Sequence, residues 1–183
     1  MKHQATHISN LVRIETISVT DARCSFTRLF CQKELAPYLG DRTLAQINHA
    51  HSIKKGCIRG LHFQKPPFGE MKIVRCIRGR IWDVAVDLRA GSPTFLQWHA
   101  EELTESNHAM MVIPEGFAHG YQALEPDSEI IYFNTMFYKP EAEGGVHYAD
   151  PSLKIQWPFP PVDVSSRDQA HPFLDKDFQG LKL

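Results

Sequence analysis

The chain has 183 residues, 43% of them hydrophobic, and a net charge of -1. That is enough apolar material for one domain with a core, and the balanced charge excludes the basic footprint of a nucleic-acid binder. No apolar run approaches the roughly 18 residues of a membrane span, and the opening MKHQATHISN lacks the apolar stretch of a signal peptide, so a cytoplasmic location is expected.

Thr6 to Thr20 is rich in β-branched residues and reads as extended chain, followed by a turn at Asp21-Ala22-Arg23 and a short strand from Ser25 to Phe30. Leu29 to Leu39 is the best helix candidate, interrupted by Pro37 and stopped by Gly40. Leu44 to His51 reads as a strand. From Lys72 the rhythm has a period of two: Ile73, Arg75 and Ile77 alternate with Val74, Cys76 and Arg78, and Gly79 breaks the run. Beyond it Val84, Val86 and Leu88 share one face, Asp83 and Asp87 the other. Strands are expected at Thr94–Leu103, Ala109–Pro114, His119–Glu125 and Glu129–Phe137, separated by Gly- and Pro-containing turns. This spacing predicts an all-β antiparallel barrel or double-sheet sandwich with a few short helices. After Tyr138 the chain loosens into a Pro-rich tail, which Trp157 and Phe159 predict to wrap the body. A single domain 1–183 follows: N-terminal strands and helix over 1–45, a β core over 46–157, and the tail over 158–183.

Cysteines at 24, 31, 57 and 76 form no C-x-x-C, so they are expected as buried or partly buried thiols rather than zinc ligands. His49 and His51 form an H-x-H without a nearby carboxylate in sequence, and no metal is expected there. His62 lies between Leu61 and Phe63, so on a strand its ring points away from both. Alone it reads as an ordinary core or surface histidine. With Arg59 and Lys72 close by, a neutral imidazole amid positive charge suits removal of a proton next to a carbonyl, the cations stabilising the enolate. His119, flanked by glycine in A-H-G-Y, is ambiguous in the same way. Tyr132 and Tyr138 read by default as lining aromatics, Asp168 as a surface carboxylate, and Arg23 as a solvated cation.

Four strings share one pattern: IRGLHFQ at 58–64, K-x-V-R-C-x-R-G-x-I-x-D-V-A-V-D-L-R-x-G-S-P-T-F at 72–95, IPEGFAHGYQAL at 113–124 and YKPEAEGGV at 138–146. They strongly resemble the dTDP-4-dehydrorhamnose 3,5-epimerase family. The resemblance implies a cupin-like jelly roll, a homodimer that exchanges N-terminal segments, and no metal or organic cofactor. The implied substrate is a nucleotide-diphosphate 4-keto-6-deoxysugar, inverted at carbons beside the ketone. It assigns His62 as general base, Asp168 as its orienting partner, Tyr132 as proton donor and Lys72 as a stabiliser of the enolate. It also assigns Arg23, Gln46, Asn48, Arg59, His119, Tyr138 and Arg167 to substrate binding. One departure lies in the N-terminal D-x-R-G-x-F-x-E segment, where Cys24 replaces the glycine and Arg28 the glutamate. A donor then stands where the family has an acceptor, which bears on nucleobase recognition. The rival expectations are epimerisation at one carbon only, a non-catalytic nucleotide-sugar binder, and a metal-dependent cupin.

Overall fold

A computed structural model describes all residues, 1–183. Thirteen strands form two antiparallel sheets and a hairpin. They are β1 (Lys2–Ala5), β2 (Val12–Glu15), β3 (Ser18–Thr20), β4 (Ser25–Thr27), β5 (Gln46–Ser52), β6 (Ile58–Gln64), β7 (Lys72–Arg78), β8 (Arg80–Asp87), β9 (Trp98–Thr104), β10 (Ala109–Ile113), β11 (Phe117–Ala123), β12 (Ser128–Asn134) and β13 (Glu143–Gly145). One sheet runs β1-β2-β10-β7-β12-β5, the other β13-β6-β11-β8-β9, and β3 pairs only with β4. The two sheets face each other as a cupin-like sandwich, as expected. No helix is long and apolar enough to cross a membrane.

Three apolar layers hold the sandwich. Between the sheets lie Val74, Cys76, Ile81, Ala85, Leu103, Met111, Phe117 and Ile130. Outside the six-stranded sheet, helix α1 (Gln32–Leu39) sets Leu35 and Leu39 on Ile14, Ile73 and Val112. Outside the five-stranded sheet, the tail covers Leu61, Phe63, Val84, Val86 and Leu88 with Leu153, Trp157, Phe178 and Leu181. The tail wraps the body, and backbone bonds Val162 N to Gly56 O at 2.9 Å and Leu181 N to Leu88 O at 2.6 Å stitch it down.

Several sequence expectations shift. The helix starts at Gln32 and contains Pro37 without a break, Gly40 donating to the Ala36 carbonyl at its end. The extended N-terminal run divides into β2 and β3, with β1 added before it, and β4 stops at Thr27. The strand expected from Thr94 begins at Trp98, because Thr94 and Ser92 hydroxyls are occupied in binding the Asp87 carboxylate. β6 and β7, consecutive in sequence, belong to opposite sheets, so Lys72 faces Arg59 and His62 across the sandwich rather than from a neighbouring strand. Cys24 is exposed, unlike the other three cysteines. His49 and His51 do have carboxylates: β12 and its turn bring Glu129 and Asp127 to 2.9 and 3.0 Å, as two separate pairs.

Candidate active site

β6 supplies Arg59 and His62. Strict alternation would send two residues three apart to opposite faces of a strand. The register with β11 slips between them, pairing His119 with His62 and Tyr121 with Arg59. Between these pairs β11 has one residue, Gly120, and β6 two, Gly60 and Leu61, a bulge that returns both side chains to the interior. Gly60 sits in the bulge at φ 115°, where a Cβ would strike the Gly120 backbone. Leu61 and Phe63 point outward beneath the tail while His62 points in, as its place between them predicts.

The interior space is a cavity of about 90 Å³ lined by Ala50, Arg59, His62, Lys72, His119, Tyr121, Ile130 and Tyr132. Lys72 and Tyr132 come from β7 and β12, His62 and His119 from β6 and β11, so the two sheets supply opposite walls. Arg59 and His62 also border an outer hollow of about 580 Å³, with Cys57, Asp163, Ser165, Arg167 and Asp168. A larger hollow of about 920 Å³ lies among Arg78, Arg80, Glu102 and Asp127; no hydrophobic residue lines it, and Arg59, His62, Lys72, His119 and Tyr132 do not border it.

Asp168 reaches His62 from helix α2 (Ser166–Gln169), which begins with the Ser165 hydroxyl accepting from the Asp168 amide. Far from a surface carboxylate, it is 3% exposed. Its Oδ1 lies 2.7 Å from His62 Nε2 and its Oδ2 accepts from Gly60 N at 3.1 Å. Burial raises its pKa, but the His62 and Gly60 hydrogen bonds outweigh this and hold it below the usual value. An ionised carboxylate only accepts, so Nε2 of His62 carries the proton and Nδ1 keeps the lone pair. Arg167 Nη2 lies 3.4 Å from Nε2.

The site residues have hydrogen-bond and ion-pair partners that sequence reasoning missed. His119 Nε2 is 2.7 Å from Oδ1 of Asp83, which is wholly buried and whose pKa burial raises. The signal was available: Asp83 sits mid-strand between Ile81 and Ala85 on its own face, with Trp82 and Val84 beside it. Glu70 pairs with Lys72 at 2.7 Å and accepts from Asn134 at 2.9 Å. Glu143 accepts from Tyr138 Oη at 2.8 Å and pairs with Arg167 at 3.0 Å. Tyr121 shares a hydrogen bond with Ser52 at 2.9 Å, and burial pushes its hydroxyl up to about 12.

The remaining sequence candidates lie outside the inner cavity. Gln46 accepts from the Tyr138 amide at 2.6 Å. Asn48 stands opposite Tyr132 in the β5–β12 register. Arg23 is exposed in the β3–β4 hairpin and pairs with Asp21 at 2.8 Å. Arg28 pairs with Glu34 at 3.4 Å.

Comparison with known proteins places this geometry. The profile described as dTDP-4-dehydrorhamnose 3,5-epimerase matches residues 5–176. A protein of that name from Sinorhizobium fredii is 39% identical over 187 aligned residues, covering 100% of this chain and 96% of the relative. A crystal structure of dTDP-6-deoxy-D-glucose-3,5-epimerase from Legionella pneumophila, in complex with dTDP-4-keto-L-rhamnose, has a TM-score of 0.91 at 36% identity and covers 100% of this chain and 98% of its own. The Bacillus anthracis enzyme, with TDP and PPi bound, has a TM-score of 0.91 at 35% identity and covers 94% and 99%. The chain therefore belongs to the dTDP-4-dehydrorhamnose 3,5-epimerase family, isomerases that act on a sugar nucleotide.

Proposed function

We propose that the protein inverts C3 and C5 of dTDP-4-keto-6-deoxyglucose by two rounds of proton transfer across the inner cavity. In each round Nδ1 of His62 takes the proton from the carbon beside the ketone, and the C–H electron pair passes into an enolate. The Lys72 ammonium stabilises the negative oxygen, with the His119–Asp83 pair beside it. Tyr132, on the opposite wall, delivers its hydroxyl proton to the other face of the same carbon. The new C–H bond has inverted configuration, and the imidazolium and phenolate exchange protons with solvent before the next round. The observation that carries this reading is the placement of His62 and Tyr132 on facing sheets around one small cavity.

Arg59 and Arg167 border the outer hollow and suit a diphosphate. Gln46, Asn48 and Tyr138 serve as further substrate-binding groups, Tyr138 being linked to Arg167 through Glu143 and to Gln46 through its amide. Every step moves a proton between a side chain and carbon, so no metal or organic cofactor is required; stoichiometric iron, manganese or zinc in purified protein would count against this. Arg23 serves the site of a second copy. The β3–β4 hairpin, with Val19 and Phe26 exposed, and the open β5 edge, with Ile47 exposed, fit strand exchange in a homodimer. A monomeric sedimentation coefficient would contradict that assembly. The whole chain acts as one domain in the cytoplasm, without nucleic-acid or membrane partners.

The deciding experiment is proton NMR of dTDP-4-keto-6-deoxyglucose in D₂O, beside a His62→Ala control. Deuterium at both C3 and C5 with wild type, and at neither with the control, is expected. Exchange at only one carbon would replace the double epimerisation by a single one. No exchange with this or other nucleotide-linked ketosugars would leave a binder without catalysis.

A further inference from the structure

One titratable side chain outside the residues assigned above touches the base pair. His171, two residues beyond α2, has its ring centre 5.4 Å from that of His62, edge to face. Its Nε2 is 3.8 Å from Oδ1 of Asp168, near but beyond a hydrogen bond. On the ring's far side β13 approaches so closely that a Cβ on Gly145 would overlap it. The next residue is pinned by a backbone bond from His147 N to Pro172 O at 2.9 Å. Nε2 is enclosed and has no hydrogen-bond partner. Buried polar atoms are normally paired, so an imidazole held here unpaired calls for a reason.

We propose that His171 is a positioning residue for the general base: its uncharged ring, wedged between Gly145 and the His62–Asp168 pair, fixes the plane of the His62 ring and leaves the Asp168 carboxylate to His62. The inference rests on the reading of His62 as the base. The charged and titratable groups around the ring are His62 on β6, Arg167 and Asp168 on α2, and Glu143 on β13. Burial, joined by the His62 and Arg167 charges, holds the His171 pKa below the ordinary value against the pull of Asp168 and Glu143. At neutral pH the ring is therefore uncharged. A protonated ring in this place would compete for Asp168 and repel the imidazolium that His62 becomes. The donor atoms of His62, Asp168 and His171 lie within 4.8 Å of one another, as a metal site would require. The Arg167 guanidinium, 3.4 Å from His62 Nε2, opposes a cation there.

Three replacements test the proposal, each checked by thermal melting for folding. His171→Ala removes the wedge and is expected to lower kcat about tenfold with KM within about twofold of wild type, the pattern of a group that acts on the reacting geometry rather than on binding. His171→Phe keeps the shape without the nitrogen and restores kcat to within about threefold. His171→Lys places a permanent cation against Asp168; kcat falls and the acid limb of its pH profile moves down by about one unit, because His62 loses its carboxylate. An alanine variant with wild-type kcat and pH profile would overturn the proposal, as would a phenylalanine variant as impaired as alanine, or a change in KM alone. A His62→Ala variant that still turns over would instead overturn the base assignment itself, so the two failures are told apart.

Discussion

Replacing Asp168 by Asn tests the dyad with little change of shape. Asn Oδ1 can still accept from Gly60 N, which holds the side chain in place, but its amide then turns a donor toward Nε2 of His62. That favours the tautomer with the proton on Nδ1, the nitrogen assigned to accept the substrate's proton. The imidazolium formed on proton abstraction also loses its counter-charge. Unit charges about 4 Å apart at an effective dielectric of about 20 attract by about 4 kcal/mol. Roughly 1 kcal/mol of this is already present as a hydrogen bond in the neutral pair and does not lower the barrier. The remaining 3 kcal/mol or so corresponds to a loss of about 10² in kcat, with the wrong tautomer adding to it. The assay is deuterium incorporation at C3 and C5 under saturating substrate, with melting temperature as the folding control. A well-folded Asp168→Asn variant within about threefold of wild type would refute the reasoning, because the carboxylate would then neither set the tautomer nor stabilise the charged ring.

Tyr132→Phe removes the proposed proton donor but leaves the proposed base; product formation should fall by about 10²-fold or more, while His62 still exchanges substrate protons from its own face. Equal loss of exchange and inversion would show Tyr132 acting elsewhere. Leu103→Ala opens a hole between the sheets at a fully buried position, which should cost about 2–5 kcal/mol and lower Tm by roughly 5–15 °C for a chain of this size; a Tm within about 2 °C of wild type would be inconsistent with that packing. The depressed pKa of Asp168 makes stability depend on acid: the contribution is present above the unfolded carboxylate value near about 3.9 and is lost as pH falls through the lower folded value. Calorimetric Tm should therefore fall below about pH 4 and fall less steeply in Asp168→Asn; parallel curves would contradict it.

The β architecture was legible because alternation over Lys72–Leu88 leaves few other structures open to the chain, and His62 was orientable because Leu61 and Phe63 mark the opposite face. What stayed hidden was non-local. Arg59 and His62 share a wall only through the slipped β6–β11 register, which no property of β6 alone reveals. Val84, Val86 and Leu88 look like a face turned to the sandwich core, yet they pack beneath the tail, while Asp83 from the other face is buried against His119. Asp168 lies 106 residues from His62. No local pattern sets it apart from a surface carboxylate, so the resemblance alone supplied its role. Glu70 and Glu143 escaped notice because a carboxylate in a Gly- and Pro-rich stretch of sequence reads as solvated until a partner cation is brought to it.

The wrapped tail has a consequence for biosynthesis and turnover. Every strand of both sheets is complete by Gly145, yet the carboxylate proposed to set the His62 tautomer arrives only with α2. The part of the protein that makes it a barrel and the part that arms its base are thus synthesised at different times. On the proposed roles, a ribosome-bound chain that has folded its sheets would still lack the partner of its base, and proteolysis within the Pro158–Pro161 stretch would cut the strands off from that carboxylate. Abundance measured by an antibody to the sheets and activity measured by turnover would then diverge, so the two need to be followed separately in cells.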